Sequence, residues 1–174
     1  ELARTLFDEC ADTAPTDPFV LETLARFHDQ NSEPEVATRI IQTAAAAMPD
    51  DLALQLLHFR RVFDHGEQGK ALALLVETSK HFDSVASWSA LASVYRSMRR
   101  NEDALAAIEK TLALSPVSNP QLLFTQADIL IDVGELDQAR SIAEGLDHDT
   151  YAHRIRGRIL LISGVPAAAL DEFD

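Results

Sequence analysis

Apolar positions between Val85 and Pro116 recur with a helical period. Trp88, Leu91, Ala92 and Tyr95 fall at i, i+3, i+4 and i+7, one face of a helix that turns every 3.6 residues. Arg99-Arg100-Asn101 interrupts the pattern with polar residues. Ala104, Leu105, Ile108, Leu112 and Leu114 then open a second stripe, ended by Ser115-Pro116, because proline lacks an amide hydrogen and clashes with the preceding turn. The pattern predicts two helices in a tight hairpin, with small Ala92 and Ala104 where the backbones approach most closely. One hairpin cannot bury both stripes alone; neighbours stacked on each side can.

The same pattern recurs along the chain. An alanine opening a second helix stands at Ala3, Ala37, Ala71, Ala104, Ala139 and Ala169, at spacings of 34, 34, 33, 35 and 30. Four residues after each come Phe7, Ile41, Leu75, Ile108, Ala143 and Phe173, and Pro15, Pro49 and Pro116 each close a stripe 12 residues after its alanine. Trp88, Leu91, Ala92 and Tyr95 occupy the W-x-x-L-G-x-x-Y places of a tetratricopeptide repeat, with alanine in the glycine place. Ala104, Ile108 and Pro116 fill the rest of that signature. The chain therefore resembles the tetratricopeptide repeat family, whose period is about 34 residues. The resemblance implies an all-α, right-handed α-solenoid of antiparallel hairpins, about ten helices in one solenoid.

Taken in order, residues 1–17 read as a half repeat, a second helix over 1–14 with Cys10 in a small buried slot. In 18–51, Asp17-Pro18 is a good N-cap and first-turn pair, Leu21, Leu24, Ala25 and His28 form the stripe, and Ser32 with Glu35 predicts a capping box for a helix from Pro34 to Met48. The 52–84 repeat is degenerate. Gly66, Ala71, Leu75 and Thr78 fit, but Leu52, Leu54, Leu56, Leu57, Phe59, Val62 and Phe63 surround their helix and leave its register open. The repeat over 85–119 is the clearest. In 120–149, Leu123, Ala127 and Leu130 carry the stripe, Gly134 the turn, and Gly145 with Asp147-His148-Asp149 shortens the second helix. The last, 150–174, has Gly157 in the close-packing place, Gly164 at the turn and Pro166 opening a helix cut off at Asp174. Beginning and ending in mid-hairpin reads as a piece of a longer protein.

Charge narrows the partners. Fifteen Lys+Arg against 28 Asp+Glu give a net charge of −13, which disfavours nucleic acid, where clustered cations must displace counterions, and anionic lipid surfaces. Cys10 is the single cysteine, so no intrachain disulfide and no cysteine-based zinc site can form. No apolar run approaches the ~18 residues of a membrane span, and the N-terminal stretch has no signal-peptide core; cytoplasm and periplasm both remain open.

No catalytic or cofactor motif is present: neither a P-loop, G-x-G-x-x-G, H-E-x-x-H nor G-x-S-x-G occurs. His28 stands in the tyrosine place and reads as packing. His148 and His153, beside Asp147 and Asp149, could hold a divalent metal but read as solvated loop residues. Arg154 and Arg158 share a helix face with room for a carboxylate or phosphate; salt bridges to neighbouring acidic helices are the plainer role. The family resemblance implies a non-enzymatic scaffold that holds a protein or peptide in a concave groove lined by first helices. The groove-side places lack the Lys and Asn of the family's carboxylate clamp, which disfavours chaperone tails. Two alternatives are the repeat segment of a larger enzyme, of glycosyl- or sulfotransferase type, and part of a bacterial envelope or polysaccharide-export assembly protein.

Periodicity places the groove residues opposite each buried stripe. They are Phe19, Glu22 and Arg26, then Leu56, Arg60 and Phe63, then Ser89, Ser93 and Arg96. Phe124, Asp128 and Asp132 follow, and finally Tyr151, Arg154 and Arg158. Aromatics beside arginines are the composition of binding hot spots. The expectation is a groove for an extended or helical peptide, with Arg96, Arg154 and Arg158 meeting acidic groups.

Overall fold

A computed structural model describes residues 16–173. The half repeat expected over residues 1–14, with Cys10, lies outside the described residues. Among those described there are ten helices and no strand. The chain divides into two compact units, Glu1–Asp83 and Ser84–Asp174.

The first unit holds α1 (Pro18–Gln30), α2 (Pro34–Ala47), α3 (Leu52–Asp64) and α4 (Gln68–Phe82). The Asp17 carboxylate accepts the amides of Phe19 (2.9 Å) and Val20 (3.1 Å), and Pro18 takes the first turn, where its missing amide hydrogen costs nothing. Leu21, Ala25, Ala37, Ile41, Ala44, Leu54 and Leu57 make one core. Arg61, whose side chain is only 11% exposed, joins three helices. It grips both Asp29 oxygens (2.5 and 2.7 Å), the Thr38 hydroxyl (3.1 Å) and the Pro34 carbonyl (2.9 Å). Those hydrogen bonds from Arg61 hold the Asp29 carboxyl below its ordinary pKa.

The second unit holds α5 (Val85–Ser97), α6 (Asn101–Leu114), α7 (Pro120–Val133), α8 (Leu136–Gly145), α9 (Asp149–Ile162) and α10 (Pro166–Phe173). Ser84 and Ser87 form a reciprocal capping box at the head of α5. Ala127, Leu130, Ile131, Ala139, Ala143, Ile155 and Ile159 belong to one core spanning α7 to α9. At ten residues, α8 is the shortened helix that Gly145 and the Asp-rich loop predict.

Two repeating details explain the hairpins. Ala37, Ala71, Ala104, Ala139 and Ala169 are each 0% exposed, so any longer side chain there would separate the helices. Each hairpin also turns through one left-handed residue: Ser32 (φ +62°), Gly66 (+81°), Arg99 (+59°), Gly134 (+87°) and Gly164 (+77°). In every case the next amide donates to the carbonyl five residues back, Glu33 to His28 (2.8 Å) and Arg100 to Tyr95 (2.9 Å) among them. This is the Schellman turn, which satisfies the last carbonyls of the first helix.

Several expectations need correction. Ser32 does not cap α2; it occupies the left-handed turn, and Glu33 precedes the helix with no side-chain cap. The Glu33 carboxylate instead meets Nδ1 of buried His28 at 2.7 Å. Trp88 and Tyr95 are half-buried rather than core, and Tyr95 carries the Arg100 guanidinium 4.6 Å from its ring centroid. Counting back from Gly66 fixes the register left open in α3: the signature places are Gln55, His58, Phe59 and Val62. Of these only Val62 is buried, and Leu54 and Leu57 fill the core instead.

Candidate binding face

In the second unit the first helices α5, α7 and α9 bring together side chains that periodicity assigns to one face. Asp128, 7% exposed, is buried between two arginines. Its carboxylate pairs with Arg96 from α5 and with Arg158 from α9. Asp132, one turn further on, completes the cluster with Arg158 (2.8 Å) and Arg96 (3.6 Å). The four charges sum to zero. Burial, and then the neighbouring Arg96, lower the pKa of the Arg158 guanidinium from its ordinary value. A desolvated carboxylate with two charge-assisted partners is stable; either partner alone would be costly to leave. Arg96 and Arg158 therefore already meet acidic groups, and those groups belong to this chain.

Beside this floor lies a stack of rings. Phe124 of α7 and Tyr151 of α9 are stacked with centroids 5.0 Å apart, and His148 lies over Tyr151 at 4.4 Å. The Tyr151 hydroxyl donates to the Gln121 side-chain oxygen. Arg154 places its guanidinium 4.9 Å from the Phe124 centroid. Phe124 and Tyr151 remain half-buried and Arg154 is exposed. His148 thus serves the stack, whereas His153 donates its Nδ1–H to the Glu172 carboxylate at 2.7 Å, so the two histidines do not converge. Glu172 also accepts from Arg156 at 3.0 Å; its burial, which alone would raise the pKa, is outweighed by these two partners, which lower it. Among the described residues no group of three or more potential metal ligands occurs.

The remaining face residues are dispersed. Ser89 is half-buried, and its carbonyl accepts from the exposed Ser93 hydroxyl at 3.1 Å. In the first unit Phe19 is 77% exposed. Glu22 approaches Arg26 (3.9 Å) and Arg60 (3.7 Å) in solvent, contacts worth little. Leu56 is half-buried, and Phe63 tilts against Phe59 at 5.9 Å. A concavity of about 720 Å³ between α1 and α2 is lined by Leu21, Leu24, Val36 and Ile40 and begins at Thr16. No described helix is long and apolar enough to cross a membrane.

Sequence reasoning missed Gln121 and His148 as parts of the face. The i, i+3 spacing of His148 and Tyr151 is the signal that could have found the second.

A sequence profile described as tetratricopeptide repeat matches residues 2–145. No curated protein gives a significant match. Solved structures do match in fold. A MamA crystal structure is 18% identical with a TM-score of 0.65, over 84% of this chain and 88% of its own. The Pseudomonas aeruginosa protein pilF is 17% identical with a TM-score of 0.67, over 98% and 80%. YrrB, titled a TPR protein with an unusual peptide-binding site, is 15% identical with a TM-score of 0.65, over 95% and 88%. Identities this low speak to the fold alone.

Proposed function

Because the chain belongs to the tetratricopeptide repeat family and has the α-solenoid fold of protein-interaction scaffolds, we propose that the α5–α7–α9 face binds a peptide or partner-protein segment. The observation that carries this reading is the Phe124–Tyr151 stack, left half-exposed on a face whose floor is already charge-neutral. Rings in water gain by being covered, and a satisfied ion-pair floor asks nothing of the ligand. The peptide-binding title of YrrB supports the same class of ligand. We read the chain as a scaffold rather than an enzyme, its described part being one repeating packing unit.

Site-specific photo-crosslinking tests this. A crosslinker at exposed Ser93 on α5 should capture a partner in cells, and one at exposed Glu109 on α6 should not. Phe124→Ala should reduce the Ser93 adduct by roughly five- to thirtyfold, the effect of losing about 1–2 kcal/mol of contact energy. Equal adducts at both positions, or none lost in the variant, would remove the face from consideration.

A further inference from the structure

The three arginines of this face are not equivalent. Arg96 and Arg158 each hold both Asp128 and Asp132. Arg154 is exposed, and among the described residues no carboxylate lies within ion-pair distance of it. Its guanidinium lies against the face of Phe124. A guanidinium lying against a ring has its side-chain entropy largely spent, while its hydrogen-bonding edges stay open to solvent. Such an arginine gives up less on meeting a carboxylate than a free one does. The Phe124–Tyr151 pair next to it offers apolar surface to whatever residue precedes or follows that carboxylate.

We propose that Arg154 on Phe124 is a specificity site for a carboxylate side chain of the partner, in a segment that also lays an aromatic or apolar residue against the Phe124–Tyr151 stack. This rests on the reading of the α5–α7–α9 face as the binding surface. The ligand class is an acidic–aromatic segment, and a free chain terminus is not required. The protein's net charge of −13 opposes such a partner at long range. At physiological salt, charges more than about 8 Å away are largely screened, and the contact at Arg154 decides.

The test uses short, fluorescently labelled, C-terminally amidated peptides and anisotropy titrations of the whole chain at about 150 mM salt. One peptide alternates Glu with Phe, a second replaces each Glu by Gln, and a third replaces it by Lys. The Glu peptide should bind about fivefold tighter than the Gln peptide, the scale of one well-oriented, partly exposed arginine–carboxylate pair. Arg154→Gln should erase that preference, so that the Glu and Gln peptides bind alike, and Arg154→Lys should retain only part of it. Phe124→Leu, which keeps packing volume, should weaken both peptides. Equal affinity for Glu and Gln peptides, a Glu preference that survives Arg154→Gln, tighter binding of the Lys peptide, or no binding of the Glu peptide each overturns the proposal. None of these alters the crosslinking outcome, so the broader reading stands or falls separately.

Discussion

Arg99 holds a φ of +59°, a conformation in which an L side chain crowds its own carbonyl. The hairpin needs that conformation whatever residue supplies it, since the Schellman bonds close identically at Ser32, Gly66, Arg99, Gly134 and Gly164. Glycine at three of the five turns made those hairpins legible in the sequence. At Ser32 and Arg99 both hairpins were expected but the left-handed residue was not marked, and serine ahead of a glutamate two residues short of a helix suits an N-cap equally well. Arg99→Gly should therefore stabilise the protein. Relief of about 1–2 kcal/mol of left-handed strain exceeds the roughly 0.5–1 kcal/mol that glycine gives back in unfolded-state freedom. The expected gain is about 0.5–1 kcal/mol in urea denaturation at unchanged m. A loss of stability would mean that the Arg99 side chain contributes more than its backbone costs.

Helices α5, α7 and α9 are tied by a buried aspartate, and this tie was only half visible beforehand. Periodicity placed Arg96, Asp128, Asp132 and Arg158 on one face, but a face assignment does not say which charge meets which across helices. Asp128 and Arg158 stand at the same distance before their turns, six residues from Gly134 and Gly164, so stacking brings them together. The sequence offered no comparable guide to α3, where Gln55 and His58 stand in two signature places and the apolar residues form no single stripe. Asp128→Ala should cost about 1–3 kcal/mol, because it leaves two partly buried guanidiniums to share the more exposed Asp132 alone. Adding Arg158→Ala should cost much less than the sum of the two single changes, as in any coupled pair. Additive losses in thermal or urea denaturation would show that the cluster is a surface ornament of α7. For the same reason Arg158 is a poor probe of binding, whereas Arg154 can be changed without opening the floor.

At the scale of the whole molecule, composition and local pairing pull in opposite directions. The chain carries 28 acidic against 15 Lys+Arg residues, and several of the arginines are already committed to single carboxylates or to the α5–α7–α9 cluster. The unmatched acids lie mostly on exposed outer positions such as Glu102, Glu109 and Glu144. Their mutual repulsion acts over distances longer than a contact, and it is what added salt screens first, since the Debye length falls from about 30 Å at 0.01 M to about 8 Å at 0.15 M. The pairs at Asp29–Arg61 and Asp128–Arg158 sit at contact distance in partly desolvated surroundings, where screening is weak. Raising sodium chloride from about 0.01 to 0.15 M should therefore raise the melting temperature, by about 2–5 °C for a chain of this size. The increase should persist in Asp128→Ala from its lower starting point, because the repulsion belongs to the outer surface rather than to the cluster. A melting temperature that falls with salt would instead mean that the ion-pair networks, and not the excess of carboxylates, dominate the electrostatics of the fold.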